Sequence, residues 1–182
     1  MLNLSKITSD WTLFLDRDGV INDEKLGEYI LHWNYFIFSK GVLDVVKTLS
    51  DKFSRIIIVT NQKGVGRGLM TQEALDTIHY EMQREVEIVG GRIDRIYACT
   101  DIDNESPMRK PNHGMALQAQ KDFPDIDFSR SIMVGNKLSD MRFGRAAGMF
   151  TVFVATTNPE TAFPHEDIDL RFDSLSDFAA SL

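Results

Sequence analysis

A doubly wound parallel α/β sheet, with helices on both faces in the Rossmann-like manner and no large cap domain, is the fold this sequence predicts. Three observations carry that expectation. Strand-sized apolar runs alternate with segments whose apolar residues recur at helical spacing. The run Ile56-Ile57-Ile58-Val59 is apolar without a break, as in a strand covered on both faces. The first two runs also stop abruptly in polar residues, at Asp16 and at Thr60.

Thr12 to Leu15 reads as a short buried strand that ends in Asp16-Arg17-Asp18-Gly19. An aromatic connection through Trp33, Tyr35, Phe36 and Phe38 leads to Val42, Val45, Val46, Leu49 and Phe53, which share one helical face. Arg55 to Thr60 is the next strand. The glycines of Gly64-Val65-Gly66-Arg67-Gly68 predict a flexible turn that shapes a phosphate pocket, followed by Thr71 as a helix N-cap. Ala74, Leu75, Ile78, Met82, Val86 and Val89 form that helix's apolar stripe, and Gly90-Gly91 ends it. The alternation continues with a strand near Ile93 to Ala98, a helix near Met115 to Phe123, a strand at Ser131 to Val134, a helix at Ser139 to Ala147 and a strand at Thr151 to Val154. Residues 1–182 read as a single domain, within the usual size range and without repeats or linkers.

Composition narrows the function. The 43% hydrophobic and 26% charged fractions are those of an ordinary globular protein, and no apolar run is long enough for a membrane span or a secretory signal. One cysteine, Cys99, excludes an intramolecular disulfide and a thiol-rich zinc cage, which fits a cytoplasmic location. A net charge of −7 makes nucleic acid an unlikely partner, since such binding needs a dense cationic surface. Oligomeric state is left open.

In a parallel sheet, ligands bind beyond the carboxyl ends of the strands. That rule gathers Asp16/Asp18, Thr60/Asn61, Arg109/Lys110 and Asn136/Asp140 at one edge. Two carboxylates, a hydroxyl, a cation and further oxygen ligands make a site for an anion and a hard metal such as Mg²⁺. Gly64, Gly66 and Gly68 do not form a dinucleotide fingerprint, because position 69, where its last glycine belongs, is Leu69.

Four motifs in this order, Phe14-Leu15-Asp16-Arg17-Asp18-Gly19-Val20, Val59-Thr60-Asn61-Gln62, Arg109-Lys110-Pro111 and Val134-Gly135-Asn136-Lys137-Leu138-Ser139-Asp140, resemble those of the haloacid dehalogenase superfamily of phosphatases. Within it the chain looks most similar to the heptose bisphosphate and histidinol phosphate phosphatases. The resemblance implies a cytoplasmic, Mg²⁺-dependent phosphatase acting on a small phosphorylated metabolite, with Asp16 as nucleophile and Asp18 as general acid and base. It implies phosphate binding by Thr60, Asn61 and Lys110, substrate binding by Arg109 and Arg67, and metal binding by Asp16, Asp18, Asn136 and Asp140. In two places the chain departs from the pattern. Asn136 stands where an aspartate ligand is usual, which implies weaker metal binding. The Cys- and His-rich zinc loop that often precedes Arg-Lys-Pro is missing, which implies no zinc and a differently shaped substrate loop. The rival functions are a polynucleotide 3′-phosphatase, which shares two of the motifs, and a phosphosugar-binding module with a decayed metal site.

Overall fold

The structure, a computed structural model, describes residues 2–25 and 27–182. Among the described residues six strands form one sheet: β1 (Thr12–Leu15), β2 (Arg55–Asn61), β3 (Arg95–Cys99), β4 (Ser131–Gly135), β5 (Phe150–Val154) and β6 (Leu170–Phe172). All pairings are parallel, in the order β3-β2-β1-β4-β5-β6. The helices are α1 (Val42–Lys52), α2 (Lys63–Gly66), α3 (Gln72–Ile88), α4 (Gly114–Asp122), α5 (Leu138–Ala147) and α6 (Leu175–Ala180).

Successive strand side chains point to opposite faces, so a sheet covered on both sides requires strands that are apolar throughout. Leu13, Leu15, Ile56, Ile58, Ile132 and Val134 pack with residues of α1, α3 and α6 on one face. Phe14, Ile57, Val59 and Met133 pack with residues of α4 and α5 on the other. The expected doubly wound sheet is therefore present, and β1 lies where the strand order reverses, with β2 on one side and β4 on the other. Such a switch point is where a crevice opens at the carboxyl ends of the strands.

Three local expectations change. The third strand starts at Arg95, later than Ile93, because the Asp94 carboxylate takes the Ile56 N–H at 2.7 Å and occupies the ladder position itself. The glycine segment is not a flexible turn. Its first residues form the helical turn α2, and Gly66 lies so close to the backbone after β3 that a Cβ would stand 2.1 Å from the Thr100 carbonyl oxygen. A sixth strand and a C-terminal helix, absent from the sequence reading, complete the sheet edge.

Between β1 and α1 the described residues contain only one short helical turn, Trp33–Tyr35, so no separate cap domain covers the sheet edge. Among the described residues no helix is long and apolar enough to cross a membrane.

Candidate active site

A cavity of about 360 Å³ opens over the carboxyl ends of β1, β2 and β4, lined by Asp16, Asp18, Thr60, Lys110 and Asp140 among others. Asp16 follows β1 directly, and its backbone N–H continues the ladder to the Val134 carbonyl at 3.0 Å. The side chain is 8% exposed. Its Oδ1 accepts from the Arg17 N–H at 2.8 Å and from Lys110 Nζ at 2.9 Å, while Oδ2 has no hydrogen-bond partner among the described residues. One oxygen is thus anchored and the other is left for chemistry.

Lys110 is the centre of the constellation. Its ammonium has three protons, and three acceptors meet it: Asp16 at 2.9 Å, Asp140 at 2.7 Å and the Val59 carbonyl at 2.8 Å. Burial pushes the Lys110 ammonium down, but Asp140 and Asp16 outweigh it and hold it raised. Burial pushes the Asp16 carboxyl up, Lys110 opposes, and Asp140 and Asp18 add to the rise, which carries it to about 7.

Asn61 lines the cavity, but its side-chain amide is engaged by the Lys110 backbone. Its Nδ2 donates to the Lys110 carbonyl at 3.0 Å and its Oδ1 accepts from the Lys110 N–H at 3.1 Å, so this side chain clamps the backbone that presents the lysine. Thr60 matches its expected place at the end of β2. Its hydroxyl accepts from Gln62 Nε2 at 2.8 Å, and the same Nε2 donates to Asp18 at 2.8 Å.

The Asp18 carboxylate is turned to Arg17, whose guanidinium bonds both of its oxygens at 2.9 and 3.0 Å, and Asn22 adds a third donor at 3.0 Å. Burial pushes Asp18 up, yet Arg17, Asn22 and Gln62 together hold it below its usual range. Arg17 itself is fully buried, with Phe36 6.0 Å from its guanidinium carbon and His79 Nε2 at 3.1 Å. Burial, with the Arg17 charge, pushes His79 down to about 3, so its ring is neutral and Nε2 accepts from Arg17.

Of the expected metal ligands, Asp16 and Asn136 have side-chain oxygens without a hydrogen-bond partner among the described residues, and Asp18 keeps its backbone carbonyl oxygen. The buried Asn136 Oδ1 has no hydrogen-bond partner among the described residues, and such an orphaned acceptor suits a hard cation. The other two carboxylates are committed elsewhere. Asp18 is held by Arg17, and Asp140 gives one oxygen to Lys110 and the other to the Lys137 N–H at 3.0 Å, capping α5. Asp140 therefore reads as the residue that positions Lys110. No cluster of three or more His, Cys, Asp or Glu side chains placed to hold a metal occurs among the described residues. A few protein oxygens suffice for magnesium, which keeps several of its waters.

Arg109 lines the cavity. Arg67 does not; it donates to the Tyr29 hydroxyl at 2.8 Å and lies over that ring. Lys63, which sequence reasoning passed over, lines the cavity with Asn104. Partial desolvation and the nearby charges of Arg109 and Arg67 push the Lys63 ammonium down, which marks the three cations as neighbours. Glu24 and Lys137, also unpredicted, line the cavity as an ion pair.

A parallel sheet ending in a buried carboxylate with one oxygen open, a lysine bracing it and a second carboxylate two residues on defines the class: a phosphatase of the haloacid dehalogenase superfamily. Residues 10–174 match the family model described as polynucleotide kinase 3 phosphatase, and the chain belongs to that family. It is similar to the D-glycero-alpha-D-manno-heptose-1,7-bisphosphate 7-phosphatase of Mycobacterium tuberculosis, 34% identical with 94% of this chain and 91% of the relative covered. It is equally similar to the D-glycero-beta-D-manno-heptose-1,7-bisphosphate 7-phosphatase of Salmonella typhi, 34% identical with 93% and 94% covered. Among solved structures, the D,D-heptose 1,7-bisphosphate phosphatase from B. bronchiseptica complexed with magnesium and phosphate superposes with a TM-score of 0.85 at 27% identity, covering 94% of this chain and 97% of that one.

Proposed function

We propose that this phosphatase hydrolyses a phosphate ester of a small sugar, with D-glycero-D-manno-heptose 1,7-bisphosphate as the leading substrate, through a phosphoryl group carried on Asp16. The observation that supports it is the Asp16 carboxylate itself, anchored by Lys110 and the Arg17 N–H through Oδ1 and unpartnered at Oδ2. Oδ2 attacks phosphorus, the bond from phosphorus to the sugar oxygen breaks, and the departing alkoxide takes a proton from Asp18. Asp18 then removes a proton from water, whose oxygen attacks the same phosphorus and releases phosphate and Asp16. Thr60, whose hydroxyl proton is free, donates to a phosphoryl oxygen, and Lys110, whose three protons are taken, lends its charge to the transferring group through Asp16. Magnesium, held by the Asp16 carboxylate and the Asn136 amide oxygen, would supply positive charge between an anionic nucleophile and an anionic substrate. A reducing cytoplasm suits the single buried thiol, Cys99.

Because Arg17 holds Asp18 low, the carboxylate form needed as a base in the second half-reaction is favoured over the acid form needed in the first. Asp18→Asn is therefore expected to cut turnover by about 10²–10⁴-fold, with breakdown of the phosphoenzyme slowed more than its formation. Rapid-quench kinetics read both steps, and equal slowing of the two would contradict this division.

Lys63 and Arg109 on the cavity wall suit a second anionic group away from the reacting phosphate. Arg109→Ala should raise KM for a sugar bisphosphate by about 10–100-fold and leave KM for a sugar monophosphate nearly unchanged. Equal effects on the two substrates would remove the distal role. The substrate itself is tested by a phosphate-release screen over both heptose bisphosphate anomers, histidinol phosphate and a 3′-phosphorylated oligonucleotide, with Mg²⁺ or chelator. Relatives named for either anomer stand at the same 34% identity, so both belong in the screen. Release from the oligonucleotide alone, falling steeply with salt, would overturn the sugar reading.

A further inference from the structure

Asn136 ends up fully buried beyond β4, and its orientation is set by a residue from the other end of the chain. Its Nδ2 donates to Glu24 Oε2 at 2.9 Å and to Thr157 Oγ1 at 2.7 Å. A carboxylate only accepts, so the amide nitrogen must be the atom that faces Glu24. The amide oxygen is thereby turned the other way, where it has no hydrogen-bond partner among the described residues. Glu24 is held in place by Lys137 Nζ through its other oxygen. Gly19, with φ +83, leaves room for the arrangement, since a Cβ there would stand 2.0 Å from Asn136 Nδ2.

We propose that Glu24 is a positioning residue of the metal site: it fixes the Asn136 amide with its oxygen free for a cation, and it supplies the negative charge that position 136 lacks. The inference rests on the magnesium reading above. An amide oxygen coordinates with less charge than a carboxylate, and a carboxylate bonded behind a ligand raises that ligand's donor strength. Glu24 lines the same cavity as Asp16, and its Oε2, the oxygen not paired with Lys137, is the one bonded to Asn136.

The test is a double-mutant cycle on the full chain, with Mg²⁺ and Mn²⁺ binding measured by calorimetry and thermal melts measured in chelator. Glu24→Gln removes the charge and nearly keeps the shape, and is expected to weaken metal binding by about tenfold. Asn136→Asp in that background returns one charge to the site and should recover most of the loss. Asn136→Asp alone places two carboxylates face to face, so it should bind metal more tightly than wild type yet melt at a lower temperature in chelator. A purely structural Glu24 would not be rescued by a new charge at position 136. Unchanged affinity in Glu24→Gln, or a double variant no tighter than Glu24→Gln, overturns the assignment. Wild-type protein that takes up neither metal overturns the magnesium reading itself, and this assignment with it.

Discussion

Asp16→Asn is expected to lower turnover by at least about 10⁴-fold, the scale on which removing a covalent nucleophile acts, without lowering the metal-free melting temperature at neutral pH. The two halves of that expectation have separate causes. The amide keeps the shape of the carboxylate and its Oδ1 can still accept from the Arg17 N–H, but it cannot attack phosphorus. For stability, the sign follows from the carboxyl's folded-state value of about 7, set above its ordinary 3.8 chiefly by burial. A folded value above the unfolded one means that this charge opposes folding once pH exceeds the unfolded value, with the penalty growing until pH passes about 7. The amide escapes that penalty, so the variant melts as high as wild type or higher. A variant that keeps activity removes Asp16 from the chemistry, and one that melts well below wild type shows that the carboxylate is needed for the fold.

Lys110→Met acts on the other end of the same ion pair with the opposite sign. It leaves Asp16 and Asp140, with side chains 8% and 1% exposed, as neighbouring carboxylates without their shared cation. Removing one partner of a buried pair costs about 3–5 kcal/mol, which for a chain of this size lowers the melting temperature by roughly 10 °C. Turnover should also fall by about 10²–10³-fold, the usual loss for one charge-stabilising donor. Calorimetric melts at neutral pH, where the raised Lys110 is fully charged, check the first figure. A melting temperature within a degree or so of wild type would mean that the lysine contributes charge to the substrate alone.

The sheet was legible because β1, β2 and β4 are buried on both faces and their middles are unbroken apolar runs, Leu13–Leu15, Ile56–Val59 and Ile132–Val134. The same physics marked Asp16 and Thr60, each the first polar residue after such a run. β6 stayed hidden because Leu170-Arg171-Phe172 is too short for a period to show and carries a charge at its centre. Within the site, residue types were readable but side-chain partners were not. Asp18 and Asp140 look alike as ligands in sequence, yet Arg17 claims one and Lys110 the other. Asn61 shares the motif of Thr60, and nothing in that motif shows that its side-chain amide matches the Lys110 backbone in both directions. Glu24 left no trace in the motifs, since its bond to Asn136 spans 112 residues and forms only when the β1 loop folds back over β4. Gln62 was the nearest miss: it lies inside a quoted motif, and a buried amide next to a reactive pair usually has something to hold.

Covalent transfer to Asp16 is the claim on which the mechanism stands, and it is tested most directly by acid-quenched mass spectrometry of Asp18→Asn mixed with the best substrate of the screen. That variant should hold the mass of one added phosphoryl group on the peptide containing Asp16, and Asp16→Asn should show none. Phosphate release with no phosphorylated protein at any quench time, or a phosphoryl group on a peptide without Asp16, would contradict the account.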